Sequence, residues 1–464
     1  MDWRKTLLEF YRETFHLHHW VMTSNSIDLW EKLEESQWLS RKQILDIQHD
    51  KLQKLIWHAY EHVPYYRKSF DAVGVRPQDI RDINDLVKIP FLTKETLKKS
   101  DTSFFLSDNH NPNNVVRIAT SGSTGVPLHV YADRTQLEYR YAAVLRNWHW
   151  TGYKFGDKQI RLWHQTIGMT EEQIKMEWLD SFLMRREFLP VFEMDRNRLF
   201  QFMEKIRKYG PTMMDGYAEA FNLLSRFIKS NNISDIEVPI IISSAQMLPD
   251  HVRELIREQF HAEVFDRYGA REFSTIAHEC EYHNGYHVNA ENLIVEILKD
   301  EKPVRPKEMG EVVITDLNNF SMPLIRYRIG DLSCVLEGEC RCGRGLPRIG
   351  KIMGRTQGVI VGTNKKFMVG SFFLHLLKDY ENEIERFQIV QRKYGEIIFK
   401  LIPGRKYNNN IVHLIENQFR DWLGEDMEIT TVIVDQIPMV KTGKYTVCIS
   451  ELPIDFQKNR NYEE

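Results

Sequence analysis

The sequence predicts an α/β protein in two parts, a large N-terminal domain over residues 1–354 and a small α+β domain over 355–464. Three observations carry this expectation. At 464 residues the chain exceeds a single ordinary core. Amphipathic helical patterns alternate with short apolar strands through most of its length. Beyond Gly354-Arg355 the texture changes to a compact unit of about 110 residues, enough for a core of its own.

Taken in order, Leu45, Leu52, Leu55, Ile56, Ala59 and Val63 recur at helical spacing from Arg41, and Val63-Pro64 ends the pattern. The opening segment carries His16, His18, His19 and Trp20 without a recognisable ligand spacing, so it is read as surface helix and given no chemistry. Short helical pieces punctuated by Pro77 and Pro90 lead to an apolar run over 115–119. A helix is expected over 134–150 and a strand over 159–163; Trp148 or Trp163 could wall an organic substrate, although core packing is the commoner role of such rings. There follow a strand turning at Gly216 into a helix through 225, a buried strand over 239–245 and a helix over 250–260. A strand that ends at Tyr268-Gly269 is succeeded by strands over 293–298 and 311–315. The last unit reads as a helix over 369–380, strands over 386–391 and 396–401, a helix over 409–423 and a strand over 428–434.

Chemistry concentrates at the joints between these elements. Thr120-Ser121-Gly122-Ser123-Thr124-Gly125-Val126-Pro127 offers hydroxyls and backbone N–H groups to one anion, since glycine permits φ > 0 and close approach. It is not a Walker loop, because Val126 stands where the lysine belongs and a strand-like pattern follows. An ordinary Gly/Ser turn would share this composition. In α/β sheets ligands sit beyond the carboxyl ends of strands, which makes Tyr268-Gly269-Ala270-Arg271-Glu272 a candidate: an aromatic ring to stack on a base and a carboxylate to hold magnesium. Asp331, in Arg326-Tyr327-Arg328-Ile329-Gly330-Asp331, suits a ribose diol, because a carboxylate accepts two hydrogen bonds at once. Cys280, with His283 or His287, and Cys340-Arg341-Cys342 supply four soft N/S ligands for a closed tetrahedral zinc site. Cys334 and Cys448 read as plain apolar residues, and Lys444, beside a glycine in a loop, can reach out of its own domain.

Composition narrows the partners. Lys+Arg 62 against Asp+Glu 65 leaves a formal charge of −3, so no basic excess points to nucleic acid. No apolar run approaches the ~18 residues of a membrane span, and the N-terminus lacks a signal-peptide core, so a cytoplasmic protein is expected. Five cysteines in so long a chain do not make a disulfide scaffold.

In this order the motifs resemble the adenylate-forming superfamily of acyl-CoA synthetases, luciferases and peptide-synthetase adenylation domains. Ala59-Tyr60, Val63-Pro64-Tyr65-Tyr66-Arg67, the Cys/His set and Cys342-Gly343-Arg344 are similar to the phenylacetate-CoA ligase-like branch. That branch includes proteins encoded with capsular polysaccharide genes and a synthetase that adenylylates a deazaflavin coenzyme. The resemblance implies a large multi-sheet N-terminal domain and a small mobile C-terminal one. It implies that Thr120, Ser121, Gly122, Ser123, Thr124 and Gly125 wrap the β- and γ-phosphates of ATP, that Tyr268, with Gly269, stacks on adenine, and that Glu272 binds magnesium. Asp331 would hold the ribose, Arg355 would sit beside the nucleotide, and Lys444 would bridge the carboxylate and the α-phosphate. Gly216, Ser244, Ala245, Arg267 and Ala270 would line the acid pocket, and His287 is the preferred fourth zinc ligand. The acceptor would be coenzyme A, another thiol or an amine, and a homodimer is compatible with it. Departures are Arg271 where the family has threonine, Thr356-Gln357 after the Gly-Arg motif, and Gln246 for a common glutamate. They bear on the substrate and the second step, leaving open a transferase whose product keeps AMP, or a zinc-stabilised binding protein without catalysis.

Overall fold

The computed structural model describes residues 2–120, 128–163, 170–190, 196–353, 359–364, 367–369, 373, 377, 380, 382–437 and 446–452. Local chemistry explains the expected boundaries. Helix Arg41–His62 opens on a capping box in which Ser40 and Gln43 satisfy each other's backbone N–H groups. It stops at Val63, because Pro64 has no N–H to continue the ladder and instead starts the next helix, Pro64–Ala72. Helix Arg134–Trp150 begins where the Asp133 side chain accepts from the Gln136 N–H.

A two-stranded antiparallel unit is formed by β1 (Val115–Thr120) and β2 (Leu128–Asp133). The main sheet has 12 strands and two halves. In the first, β3 (Gln159–Trp163), β4 (Arg186–Pro190), β5 (Met213–Tyr217), β6 (Ile240–Ser244) and β7 (Glu263–Ala270) run parallel in the order β4-β3-β5-β6-β7. The second half adds β8 (Ser274–Glu279), β9 (Tyr286–Val288), β10 (Leu293–Lys299), β11 (Lys302–Pro303), β12 (Met309–Asp316), β13 (Tyr327–Leu336) and β14 (Arg348–Ile349). These continue from β7 in the antiparallel order β8-β9-β14-β13-β12-β10-β11.

Strand alternation sorts the parallel half into two faces. Ile160, Leu162, Met214, Ile241 and Val264 pack with Phe221, Leu224, Ile256 and Phe260 of helices Ala218–Ser230 and Asp250–Phe260. Met213, Ile240, Ile242 and Phe265 face the other way, onto Tyr11, Phe15, Trp30 and Trp148. Every residue of β5 and β6 is buried, as a sheet covered on both faces requires. At about 1.5–3 kcal/mol for each large apolar side chain fully buried, these two layers dominate the stability of the half.

The C-terminal unit has its own core, in which Ile389, Phe399, Leu401, Ile415 and Phe419 are buried together. β15 (Val359–Val361) pairs with β16 (Phe367–Val369). β17 (Ile384–Gln391), β18 (Glu396–Pro403), β19 (Glu428–Ile433) and β20 (Cys448–Ser450) form a sheet ordered β19-β18-β17-β20, accompanied by helix Asn409–Leu423. The helix expected over 369–380 lies largely outside the described residues, and Val369 ends β16.

β7 does not end at Tyr268-Gly269, as expected, but continues through Ala270 and folds back as β8. Trp148 takes the commoner role of such rings and packs in the core, 2 % exposed. Strands β4, β8 and β9 were not expected, since polar residues such as Arg186, Ser274 and His287 interrupt their apolar pattern.

Candidate active site

The hairpin at the end of β7 brings two motifs together. The register slips between Tyr268 and Gly269, a bulge that tightens the turn into β8. Glycine is required there: a Cβ on Gly269 would lie 2.4 Å from the Ser274 carbonyl oxygen. Around this turn Tyr268 donates its hydroxyl to Asp331 Oδ2 at 2.8 Å, and Tyr327 donates to Glu272 Oε1 at 3.3 Å. Asp331 and Tyr327 both belong to β13, so two tyrosine–carboxylate bonds join the hairpin to a strand 63 and 55 residues away in sequence. Both carboxylates are buried, each 6 % exposed. The Glu272 carbonyl accepts from Gln136 Nε2 at 3.4 Å and from Arg140, which ties helix Arg134–Trp150 to the same turn. Burial pulls Arg140 down to about 10, opposed by Asp316, Glu272 and Asp133, so it is charged at neutral pH.

Tyr268 is not a bare platform for a base. Its ring packs in the core with Phe273, Ile276, Ala277 and Tyr286, and a ribose on Asp331 would have to share or displace the tyrosine bond. The arginines of the Arg326–Asp331 motif do other work: Arg326 is buried on Glu296 at 3.1 Å and Ile89 O at 2.7 Å, while Arg328 faces Glu311 at 3.3 Å.

At the carboxyl ends of β3, β5, β6 and β7 one sheet face turns polar. Arg267 pairs with fully buried Asp215 at 2.9 and 3.3 Å and lies 3.3 Å from Ser244 Oγ. Arg161, beside Asp215 in register, lies 3.5 Å from its Oδ2. Trp163 stacks on Tyr217 at 4.2 Å and 6°. Burial pushes the Tyr217 hydroxyl up to about 12, against the opposing charges of Arg271 and Arg161. Arg271 is exposed, and its carbonyl accepts from Arg140 at 3.3 Å. Gly216 points to the opposite face, where a Cβ would meet Leu162 Cβ at 2.5 Å, so it is a packing glycine and not a pocket wall. Ala245 follows β6 at φ 69 and packs against the helical core, while Ala270 packs against the core around Tyr268.

A second cluster lies at the other ends of β8 and β13. Donor atoms of Cys280, His287, Cys340 and Cys342 lie within 4.8 Å of one another. Cys280 Sγ is 3.7 Å from Cys340 Sγ, too far for a disulfide, and Cys342 Sγ is 3.3 Å from His287 Nε2. A tetrahedron with Zn–S near 2.3 Å and Zn–N near 2.0–2.1 Å has edges of about 3.8 and 3.5 Å, so the donor set fits this ion. Burial, with Arg344 and Arg348, pulls His287 down to about 3, leaving the neutral imidazole that ligation needs. His283, the other candidate, is drawn away: its Nε2 is 2.7 Å from Glu263 and its Nδ1 3.2 Å from Glu279.

Comparison with known proteins converges on one family. Residues 360–451 match the family described as the CapK C-terminal domain. The phenylacetate-coenzyme A ligase of Thermus thermophilus is 24 % identical over 454 residues, covering 88 % of this chain and 97 % of that protein. Protein CapK of Staphylococcus aureus is 21 % identical over 415 residues, covering 88 % and 90 %. The fold matches a solved 2-hydroxyisobutyryl-CoA ligase in its postadenylation state, in complex with R3-HIB-AMP, with a TM-score of 0.72 at 16 % identity over 90 % of this chain and 91 % of that one. The chain resembles the adenylate-forming superfamily, with relatives among its acid-CoA ligases. Its sequence likeness is to the phenylacetate-CoA ligases and CapK.

Among adenylate-forming features, the structure brings together Tyr268, Gly269, Glu272 and Asp331, and separately Cys280, His287, Cys340 and Cys342. Ser121, Gly122, Ser123, Thr124, Gly125, Arg355 and Lys444 lie outside the described residues, and Thr120 is described only as the last residue of β1. Arg161, Asp215, Tyr217 and Tyr327 were not singled out from the sequence. The available signal was charge inside apolar strands, Gln159-Ile160-Arg161-Leu162-Trp163 and Met213-Met214-Asp215-Gly216-Tyr217.

Proposed function

We propose that this adenylate-forming enzyme activates a carboxylic acid with ATP, giving an acyl-adenylate and pyrophosphate, and passes the acyl group to coenzyme A or another thiol or amine. The observation that supports it most is the pairing of Tyr268 with Asp331 and of Tyr327 with Glu272 at the carboxyl end of β7, where ligands of α/β sheets bind. In the first step the acid's oxygen bonds to the α-phosphorus while the bond to the bridging oxygen of pyrophosphate breaks. Two anions must be aligned and neutralised for this, and no protein nucleophile is needed.

Asp331 is assigned the ribose hydroxyls, Tyr268 and Gly269 the adenine side, and residues 120–125 the β- and γ-phosphates. Glu272, a buried hard-oxygen donor, would hold magnesium, which supplies charge neutralisation at the phosphates. Arg271, exposed and with its charge acting on Tyr217, brings a positive charge where the family resemblance implies a threonine hydroxyl. Lys444 and Arg355 are assigned the α-phosphate and the nucleotide edge, on a C-terminal unit (355–464) that moves between the two steps. Cys280, His287, Cys340 and Cys342 would hold a structural zinc with no open position. A place in polysaccharide synthesis and in the cytoplasm belongs to the same reading, through the motifs' resemblance to proteins encoded with capsular polysaccharide genes; among the described residues no helix is long and apolar enough to cross a membrane.

The test is acid-dependent ATP/pyrophosphate exchange across a panel of carboxylates, with Glu272→Gln as control. Exchange with at least one acid, lost in the variant, is the expected result; no exchange with any acid would sink the proposal.

A further inference from the structure

The polar face at the ends of β3, β5, β6 and β7 contains more hydrogen-bond donors than acceptors. Asp215 is fully buried and Arg267 occupies it through both terminal nitrogens, at 2.9 and 3.3 Å. Arg161 stands on the other side of the same carboxylate, its Nε 3.5 Å from Oδ2 and without hydrogen-bond geometry. Nearby acids are already engaged: Arg186 takes Asp180 at 3.0 Å and Glu177 at 3.3 Å. Among the described residues, Arg161 Nε therefore has no hydrogen-bond partner, and the guanidinium is met only by the charge of Asp215 at 3.5 Å. Its other contact is the Trp163 ring, 5.4 Å from the guanidinium carbon.

Unmade bonds from a half-buried guanidinium are costly. Arg161 is not sealed off, however, because its side chain is 24 % exposed while Asp215 is wholly covered. Alternation places Arg161 and Trp163, Asp215 and Tyr217, and Ser244 and Arg267 on one face. A ligand entering beyond the strand ends thus comes against the half-buried Trp163, which stacks on buried Tyr217 and has Arg161 5.4 Å from its ring. An apolar acid would strip water from the exposed part of Arg161 and give nothing back; a planar anionic group would take two of its N–H donors at once in the fork geometry of guanidinium and carboxylate or phosphate.

We propose that the acid activated here carries a second anionic group, held by Arg161 at the carboxyl ends of β3 and β5. This rests on the reading of the protein as an acid-activating enzyme and names the class of its acid. Asp215 and Arg267 are positioning residues: their pair fixes the direction from which Arg161 is approached. The reacting carboxylate stays at the nucleotide side, near Glu272, and the second anion marks the far end of the substrate.

The experiment compares matched acids with the full chain in ATP/pyrophosphate exchange: hexanoate with adipate, phenylacetate with 4-carboxyphenylacetate, and the latter with 4-phosphonophenylacetate. Within each of the first two pairs kcat/KM should favour the dianion by at least about tenfold, the lower end of what a charged hydrogen bond supplies. The phosphonate arm distinguishes a carboxylate from a phosphate-like second group. In Arg161→Met the ratio of dianion to monoanion should collapse to near one, and Arg161→Lys should restore part of it. Monoanions preferred by the wild type, or a ratio unchanged in Arg161→Met, would overturn the proposal. Because the wild-type ratios stand alone, a variant that fails to fold does not rescue it. Silence with every acid overturns the reading of the enzyme itself, whereas exchange with monoanions alone overturns only this inference.

Discussion

Replacing Cys340 by serine keeps the size of the side chain but exchanges a soft thiolate ligand for a hydroxyl that zinc holds poorly. The cluster spans chain segments 60 and 55 residues apart, so ligation closes β8 and β9 onto the β13–β14 loop. An ion present at a thousandfold excess over its dissociation constant stabilises the native state by about 4 kcal/mol. A unit of roughly 350 residues unfolds with an entropy near 2.1 cal/mol/K per residue, so ~4 kcal/mol corresponds to a fall in melting temperature of about 5–6 °C. Elemental analysis of tag-free protein should give close to one zinc per chain, Cys340→Ser well below it, and calorimetry of both should show the drop. Wild-type protein without zinc, together with unchanged melting of Cys340→Ser, would refute the reasoning.

Asp331→Ala should weaken ATP binding by roughly 10- to 100-fold, the scale of losing charged hydrogen bonds, with the fold intact by circular dichroism; an unaltered dissociation constant in titration calorimetry would leave Asp331 a structural residue that holds Tyr268. Lys444→Ala should lower adenylate formation by about 10²–10³, yet spare acyl transfer from a supplied adenylate, because that step involves no attack at phosphorus. Equal loss in both half-reactions would contradict a moving lysine. Burial, with Glu279 adding, raises the Asp266 carboxyl to about 7, against Tyr286 and Arg253. The folded state therefore keeps a proton that the unfolded chain releases near pH 3.9, and the group's contribution is full below that value and lost as pH rises through 7. Asp266→Asn should flatten the stability profile between pH 5 and 7, where one such group contributes at most about 1.4 kcal/mol per pH unit; an identical slope in urea titrations would exclude it.

Much of this was legible in the sequence because the signals are local. Helices Arg134–Trp150, Asp250–Phe260 and Asn409–Leu423 begin and end where the pattern predicts, since caps and periodicity are set by neighbours within a turn. The Tyr268–Glu272 motif was legible as residue types near the end of a strand. What joined it to Asp331 was not, because Tyr268 and Asp331 meet only through strand order, with five strands between β7 and β13 in sequence. His283 and His287 are equal candidates by spacing alone; two carboxylates, Glu263 and Glu279, decide between them from elsewhere in the fold. Gly216 misled for a similar reason. Its clash partner, Leu162, sits on a neighbouring strand, and no local pattern distinguishes a glycine that admits a ligand from one that admits another strand.

The switch from parallel to antiparallel pairing at β7 has an evolutionary consequence. The residues proposed for the acid stand on β3, β5, β6 and β7, whereas Glu272 and Asp331, proposed for the nucleotide, belong to the hairpin and meander beyond. With the sites so divided, loops after the parallel strands would be free to diversify without moving the residues proposed to anchor the nucleotide, and the meander would stay fixed while selectivity drifts. A chimera that exchanges residues between β3 and β6 with those of a relative would inherit the donor's choice of acid and retain the recipient's affinity for ATP, with β7 as the natural seam.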